Sequence, residues 1–237
     1  MKAKFSGTIR PALTSIAAFL LLGSAAFAGP PLICHSFDIG NAKSLPWISH
    51  DWNLTGAESY STTHLANDTL AILDASQVPL VHMETLRRAT LYARKDPVAA
   101  KQLLGKLVAR AQSTESSPHP DAFALFDAAY LAEAYKQWLG EKTDNPANGF
   151  DGRAWIKTAV QLRGSDPQMQ FAAALITLRG ADAEQQEYAQ KTIAGAKTDE
   201  LLARNLDSHF LGAQTPTMAE MILRSNSTKV ATKVEKQ

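Results

Sequence analysis

The chain has 237 residues, and its 24 Lys and Arg residues nearly balance its 23 Asp and Glu residues. Charges of both signs are interspersed, which argues against a basic face for nucleic acid and against an acidic solvating tail. The length suits one domain or a tightly coupled pair of domains. The single cysteine, Cys34, excludes an intramolecular disulfide.

Residues 1–28 have the layout of a secretory signal peptide. A positively charged start precedes the apolar stretch Leu13–Leu22, which is too short to span a bilayer. A small-x-small cleavage pattern ends at Ala28. We therefore expect cleavage after Ala28 and a secreted or periplasmic product of bacterial type, with no transmembrane segment after cleavage.

Residues 29–62, which we call the N-terminal strap, differ in composition from the rest of the chain. Pro30, Pro31 and Pro46 prevent a long helix. Large apolar residues are nevertheless too frequent for a disordered tail. They are Leu32, Ile33, Phe37, Ile39, Leu45, Trp47, Ile48 and Trp52. We expect an irregular, non-helical segment, with a turn at residues 38–41, that lies across helices and buries these side chains.

Residues 63–224 carry apolar side chains at helical spacing, and Asp, Thr or Pro stands at many of the expected helix starts. The predicted helices cover roughly residues 63–76, 79–94, 97–112, 122–139, 155–163, 167–179, 182–193, 198–210 and 216–222. Residues 225–237 are polar and Lys-rich, which is typical of a flexible C-terminal tail. The sequence thus predicts an all-α domain between the strap and this tail.

The helix expected over Ala122–Leu139 is apolar on nearly every side, and Asp121 is its candidate N-cap. Asp127, Glu133 and Lys136 interrupt the apolar run and argue against a membrane span. We therefore expect a buried central helix around which the others pack.

Two helical stretches share a tight Asp-Pro turn at an offset of 70 residues, at Asp96-Pro97 and at Asp166-Pro167. Half of that offset is close to the tetratricopeptide period of about 34 residues, and the hairpins loosely resemble tetratricopeptide-type repeats. The resemblance implies antiparallel helical hairpins, in an α-solenoid or an irregular bundle, with a concave surface for a protein or peptide partner. Arg87 and Arg88 stand where that family has Leu-Gly, and the resemblance carries no ligand residue over to this chain.

Asp127 lies on the aromatic side of the central helix, and His82 lies on a stripe of small residues in another predicted helix. A buried carboxylate needs a partner or takes up a proton. Asp127 could pair with an Arg of a neighbouring helix or with His82. A His82–Asp127 pair would be either a core hydrogen bond or a catalytic pair.

Cys34, His35 and His50 form a second candidate cluster, with Asp38 and Asp51 nearby in the strap. Such a set could bind a metal or activate the thiol as a nucleophile. The alternative is a buried cysteine beside surface histidines, since adjacent residues in an extended segment point in opposite directions. None of the chain's six histidines stands in a common zinc or haem motif, so we expect no cofactor and do not favour an enzyme.

Phe37, Trp47 and Trp52 either line an aromatic binding groove or anchor the strap. The sequence favours a protein- or peptide-binding or scaffold module. One alternative is an exported metal-binding protein or hydrolase-like enzyme that uses the Cys34 cluster or His82 with Asp127. Another is a structural component of the envelope.

Overall fold

The computed structural model describes residues 31–47, 57–140, 142–178 and 183–206. These residues form eight α-helices and no strand, which confirms the all-α prediction for the described part of the chain. A 3-10 turn, Thr62–His64, precedes the first helix. The helices are α1 Leu65–Asp74, α2 Pro79–Ala93, α3 Pro97–Glu115, α4 Ala122–Leu139, α5 Gly152–Arg163, α6 Pro167–Ile176, α7 Ala183–Ala196 and α8 Glu200–Leu206.

Several predicted features fall outside the described residues: the signal peptide, His50, Asp51, Trp52, the helix at 216–222 and the C-terminal tail. Among the described residues, no helix is both long enough and apolar enough to cross a membrane. The relative direction of neighbouring helices and the tetratricopeptide resemblance stay predictions.

Aspartate side chains begin four of the helices by accepting hydrogen bonds from free backbone N–H groups of the first turn. The four N-caps are Asp96 for α3, Asp121 for α4, Asp151 for α5 and Asp166 for α6. The predicted cap at Asp121 and the predicted Asp-Pro turns before α3 and α6 are thereby confirmed. Each such cap contributes about 1 kcal/mol.

Helix α3 ends later than the sequence pattern indicates, at Glu115 rather than at Gln112. Thr114 is buried in this extra turn, and its hydroxyl accepts a hydrogen bond from the Asp121 N–H at 2.5 Å. The last turn of α3 is thus tied to the start of α4. This contact between residues seven positions apart leaves no trace in the apolar periodicity.

Helix α4 is the centre of the described fold, as predicted, and it contacts α2, α3, α5 and α6. Every residue from Ala122 to Ala132 is buried. Helix α5 approaches it closely because Gly152 has no side chain. A Cβ atom there would lie 2.9 Å from the Ala129 carbonyl oxygen.

Helix α2 is buried on nearly every side, since all but one of its residues are buried. Arg88, the exception, has a side chain that is only 18 % exposed. The strap covers the polar side of this helix, as its hydrogen bonds to Glu84 and Arg88 show. A helix in this position must bury charged side chains.

Residues 31–47 of the strap contain neither helix nor strand. Leu32, Ile33 and Leu45 are fully buried and Phe37 is 3 % exposed, which confirms their predicted burial. The predicted turn is also present, since Ala42 N–H donates to the Ile39 carbonyl and Gly40 has φ of 59°. Glycine adopts this left-handed conformation without the strain that a side chain would bring.

Candidate functional site

A buried ionic cluster on α2 lies directly beneath the strap. Glu84 is fully buried and accepts hydrogen bonds from Arg87 Nε at 2.7 Å, Arg87 Nη2 at 3.0 Å and Arg88 Nε at 2.6 Å. The Phe37 N–H of the strap donates a fourth, at 3.0 Å. A buried carboxylate is tolerated only when its oxygens are paired in this way. Glu84 and Arg88 stand four residues apart, a spacing that favours an ion pair on one helix face, but local spacing does not indicate the burial of Glu84 or the part taken by Arg87.

The two arginines also hold the main chain of the strap. Arg87 Nη1 donates to the Ile33 carbonyl at 3.3 Å, and Arg88 Nη1 donates to the Leu45 carbonyl at 2.6 Å. One buried and one partly exposed cation thus share one carboxylate, and each donates a further hydrogen bond to a backbone oxygen of the strap. The cluster and the strap therefore depend on one another.

Helix α8 holds the turn of the strap through Asn205. Its side-chain oxygen accepts from the Asp38 N–H at 2.8 Å, and its nitrogen donates to the Asp38 carbonyl at 2.9 Å. Arg204 Nε adds a contact of 2.7 Å to the Asp38 carboxylate. The hydrogen bond from Arg204 and that from the Gly40 N–H lower the pKa of Asp38. Both ends of the described chain therefore meet at this turn.

His82 and Asp127 do meet, as one sequence hypothesis proposed. His82 Nδ1 lies 2.6 Å from Asp127 Oδ1, and the side chains are 1 % and 5 % exposed. His82 Nε2 lies 3.1 Å from the Ser76 carbonyl oxygen. Because that carbonyl only accepts, Nε2 carries a proton. The Phe123 ring lies against the imidazole with a centroid separation of 4.4 Å.

This pair holds a proton between Nδ1 and Oδ1. Burial lowers the pKa of His82, but the Asp127 carboxylate and the Ser76 carbonyl outweigh it, so the net shift of that pKa is upward. Burial also raises the pKa of Asp127, against the opposing effect of His82. A general base needs a free, reachable nitrogen. Both nitrogens of His82 are bonded and buried, so the geometry supports the core-pair interpretation.

The Cys34 cluster looks different in three dimensions. Cys34 is half-buried, and burial raises the pKa of its thiol to about 12, although Arg87 opposes the shift. A thiol with so high a pKa is a poor nucleophile and a poor metal ligand. His35 is exposed, and burial and Arg87 lower its pKa. Among the described residues, no three His, Cys, Asp or Glu side chains converge to hold a metal ion. The burial expected for Cys34 is only partial.

The two described aromatic candidates face the interior of the protein. Phe37 packs edge-on against Tyr130 and Phe171, with centroid distances of 6.5 and 6.0 Å. Trp47 is partly buried, with the Arg87 guanidinium 5.3 Å from its ring centroid. An arginine over an indole face is a favourable cation–π contact. Both residues therefore anchor the strap, which was the second of the sequence interpretations.

An open groove, which sequence reasoning missed, lies between α3 and residues 142–150; we call it the α3 groove. Its volume is about 1070 Å³. The residues that matter for its chemistry are apolar Pro97, Val98, Leu104, Pro146 and Phe150, with Lys101 and Asp144. Val98 is 79 % exposed. The only signal in the sequence was the presence of apolar residues in an otherwise polar loop.

Side-chain hydrogen bonds fix the loop wall of the α3 groove. Buried Asn145 donates to the carbonyls of Tyr135 and Gly140 at 3.3 and 2.9 Å. Lys136 Nζ donates to the Phe150 carbonyl at 2.5 Å. The loop is therefore held in place by α4 and does not rely on its own turns alone. A preformed wall lowers the entropic cost of binding a ligand.

Comparisons of the chain with protein-family models, with curated proteins and with solved structures find no match. The described residues define an all-α protein with a side-chain-anchored strap, and its function has to be argued from these surfaces.

Proposed function

We propose that the chain is an exported peptide-binding module and that the α3 groove receives an extended peptide segment. The observation that carries the proposal is an open groove of about 1070 Å³ with an apolar lining. That volume reaches the upper end of the range for small-molecule pockets, which favours a larger ligand. The charged groups in the lining include both signs, Lys101 and Asp144, and this suits a peptide better than an anionic ligand.

Val98 is the side chain with most to gain from a ligand, because it is 79 % exposed in the free protein. Burying such a side chain fully contributes about 1.5 to 3 kcal/mol. The ligand that fits is an extended segment with apolar side chains for Val98 and Phe150 and one charge of each sign.

The hydrolase alternative would use His82 and Asp127. It has less support, because both ring nitrogens of His82 are already hydrogen-bonded.

The test is to select peptides from a random display library on the immobilised protein and to measure their affinities by calorimetry. Val98→Asp should weaken the selected peptides roughly 10-fold to 100-fold, since each 1.4 kcal/mol is about a factor of ten. Leu162→Asp is the matched control, because Leu162 is 44 % exposed and lies outside the groove lining. Equal binding to Val98→Asp, or no selected peptide at all, would refute the proposal.

Export belongs to the same proposal and has its own test. Expression of the full chain in a bacterium should give a periplasmic or secreted product whose mass corresponds to residues 29–237. Ala28→Asp should block processing, because the cleavage site requires a small residue there. If the purified wild-type protein still begins at Met1, this part of the proposal is contradicted.

A further inference from the structure

The helices hold the strap in the way that a peptide-binding protein holds an extended ligand. Eight main-chain groups of the strap are hydrogen-bonded by side chains of α2, α4 and α8. These groups are the N–H and carbonyl of Leu32, the carbonyl of Ile33, the N–H of Phe37, the N–H and carbonyl of Asp38, and the carbonyls of Leu45 and Pro46. We call this surface of α2, α4 and α8 the strap cleft.

The hydrogen-bond donors in the strap cleft suit a polypeptide occupant. Glu84, at 0 % exposure, is shared by Arg87 and Arg88, so the cluster carries one excess positive charge. Backbone carbonyls of the strap accept one further hydrogen bond from each guanidinium, from Arg87 Nη1 and from Arg88 Nη1. A buried cation without such partners is costly. A polypeptide fits the cleft when its backbone places one carbonyl oxygen near Arg87 and another near Arg88.

The apolar contacts specify which chain fits. Leu32, Ile33 and Leu45 are completely enclosed, and the Phe37 ring lies between those of Tyr130 and Phe171. An occupant has to match this spacing of apolar groups as well as the carbonyl positions. The segment whose fit is visible is the strap itself, and every copy of the chain carries one.

We propose that the strap cleft is a polypeptide-binding site that also accepts the strap of a second copy of this chain, so that two copies exchange straps. For residues 31–47 the exchanged contacts are identical to those within one chain, so the described hydrogen bonds are kept and concentration decides between the two forms. The strap cleft shares no lining residue with the α3 groove, and this inference is independent of the proposed function.

A pair of cysteines across the cleft tests the exchange directly. Ser44 Oγ and Thr85 Oγ1 are 3.0 Å apart, and Thr85 is fully buried. All variants carry Cys34→Ser. One preparation carries Ser44→Cys and a second, of different mass, carries Thr85→Cys. Mixing them at about 100 µM under mild oxidation should give a covalent heterodimer, because a thiol at position 85 is reached only by a strap in the cleft.

Two controls accompany the mixture. The double variant with both cysteines in one chain should close an intrachain disulfide, which confirms the geometry. Ser116→Cys, at an exposed position outside the strap, should give at least tenfold less heterodimer with Thr85→Cys. The proposal is overturned if the double variant oxidises fully while the mixture stays monomeric, or if Ser116→Cys reacts as well as Ser44→Cys.

Sedimentation of the unmodified protein gives a second readout that needs no disulfide. A dimer should appear slowly as concentration rises, because each strap has to leave one cleft before it enters another. Arg88→Ala removes the hydrogen bond to the Leu45 carbonyl and should speed the approach to equilibrium several-fold. If the double variant does not oxidise, sedimentation decides alone, and a monomer at all concentrations overturns the proposal.

Discussion

Helix α2 carries two buried polar clusters that handle charge in opposite ways. Beneath the strap, Glu84, Arg87 and Arg88 form an ionic cluster that also hydrogen-bonds the strap backbone. Less than one turn before Glu84, His82 shares a proton with Asp127 of α4. The first cluster is held by arginine, which keeps its charge in proteins, whereas the second shares a proton that can move between His82 and Asp127. We therefore expect the two clusters, despite similar burial, to differ in their sensitivity to mutation and to pH.

The largest effect is expected at Glu84. Glu84→Gln leaves the buried Arg87 and the partly exposed Arg88 without a counter-charge, which should destabilise the protein by about 3 to 5 kcal/mol. Urea unfolding measures the change. Glu187→Gln is the matched control: its side chain is 61 % exposed in a surface pair with Lys191, and the change should stay within about 0.5 kcal/mol. A similarly small loss at Glu84 would contradict the role given to the cluster.

Asp127→Asn should cost less, about 2 kcal/mol, because His82 can then become neutral and no buried charge is left unpaired. The same urea experiment at pH 7 measures it. A loss equal to that of Glu84→Gln would mean that the pair is as strictly ionic as the cluster, and the contrast between the two would disappear.

The pH dependence separates the clusters more sharply. The pKa of His82 is raised in the fold, so the pair contributes stability that is fully present below about pH 6.5, the ordinary histidine pKa, and is lost as pH rises through the folded value. A tenfold gain in the proton affinity of His82 on folding would contribute about 1.4 kcal/mol. The difference in unfolding free energy between wild type and Asp127→Asn should therefore shrink from pH 6 to pH 9.

The corresponding difference between wild type and Glu84→Gln should stay constant over that range, since arginine does not titrate there. Comparing each variant with wild type at the same pH cancels most contributions of the other ionisable groups. A difference for Asp127→Asn that grows with pH would show that the shared proton is absent.

Local patterns predicted the helices, the capping aspartates and the burial of Leu32, Ile33, Phe37 and Leu45, because periodicity and caps act over a few residues. The His82–Asp127 contact was also within reach, as each residue lay on the buried stripe of its helix. The ionic cluster was not, because Glu84 also pairs with Phe37 of the strap, which stands 47 residues earlier in the chain. The α3 groove was missed for the same reason, since its two walls meet only after folding.

The smallest effect concerns one hydrogen bond between α4 and the strap. Tyr130 donates from its hydroxyl to the Leu32 carbonyl at 2.9 Å, and both groups are buried. Tyr130→Phe keeps the ring but leaves the buried Leu32 carbonyl without this hydrogen bond. The change should lower the free energy of unfolding by about 1 kcal/mol. Tyr135→Phe is the control on the same helix, because its hydroxyl lies a long 3.4 Å from the Ala100 carbonyl and holds no strap residue. In urea unfolding, the Tyr130→Phe variant should therefore be less stable than the Tyr135→Phe variant. The reverse order would mean that side-chain hydrogen bonds to the strap backbone add little to stability beyond the packing of the strap's apolar side chains.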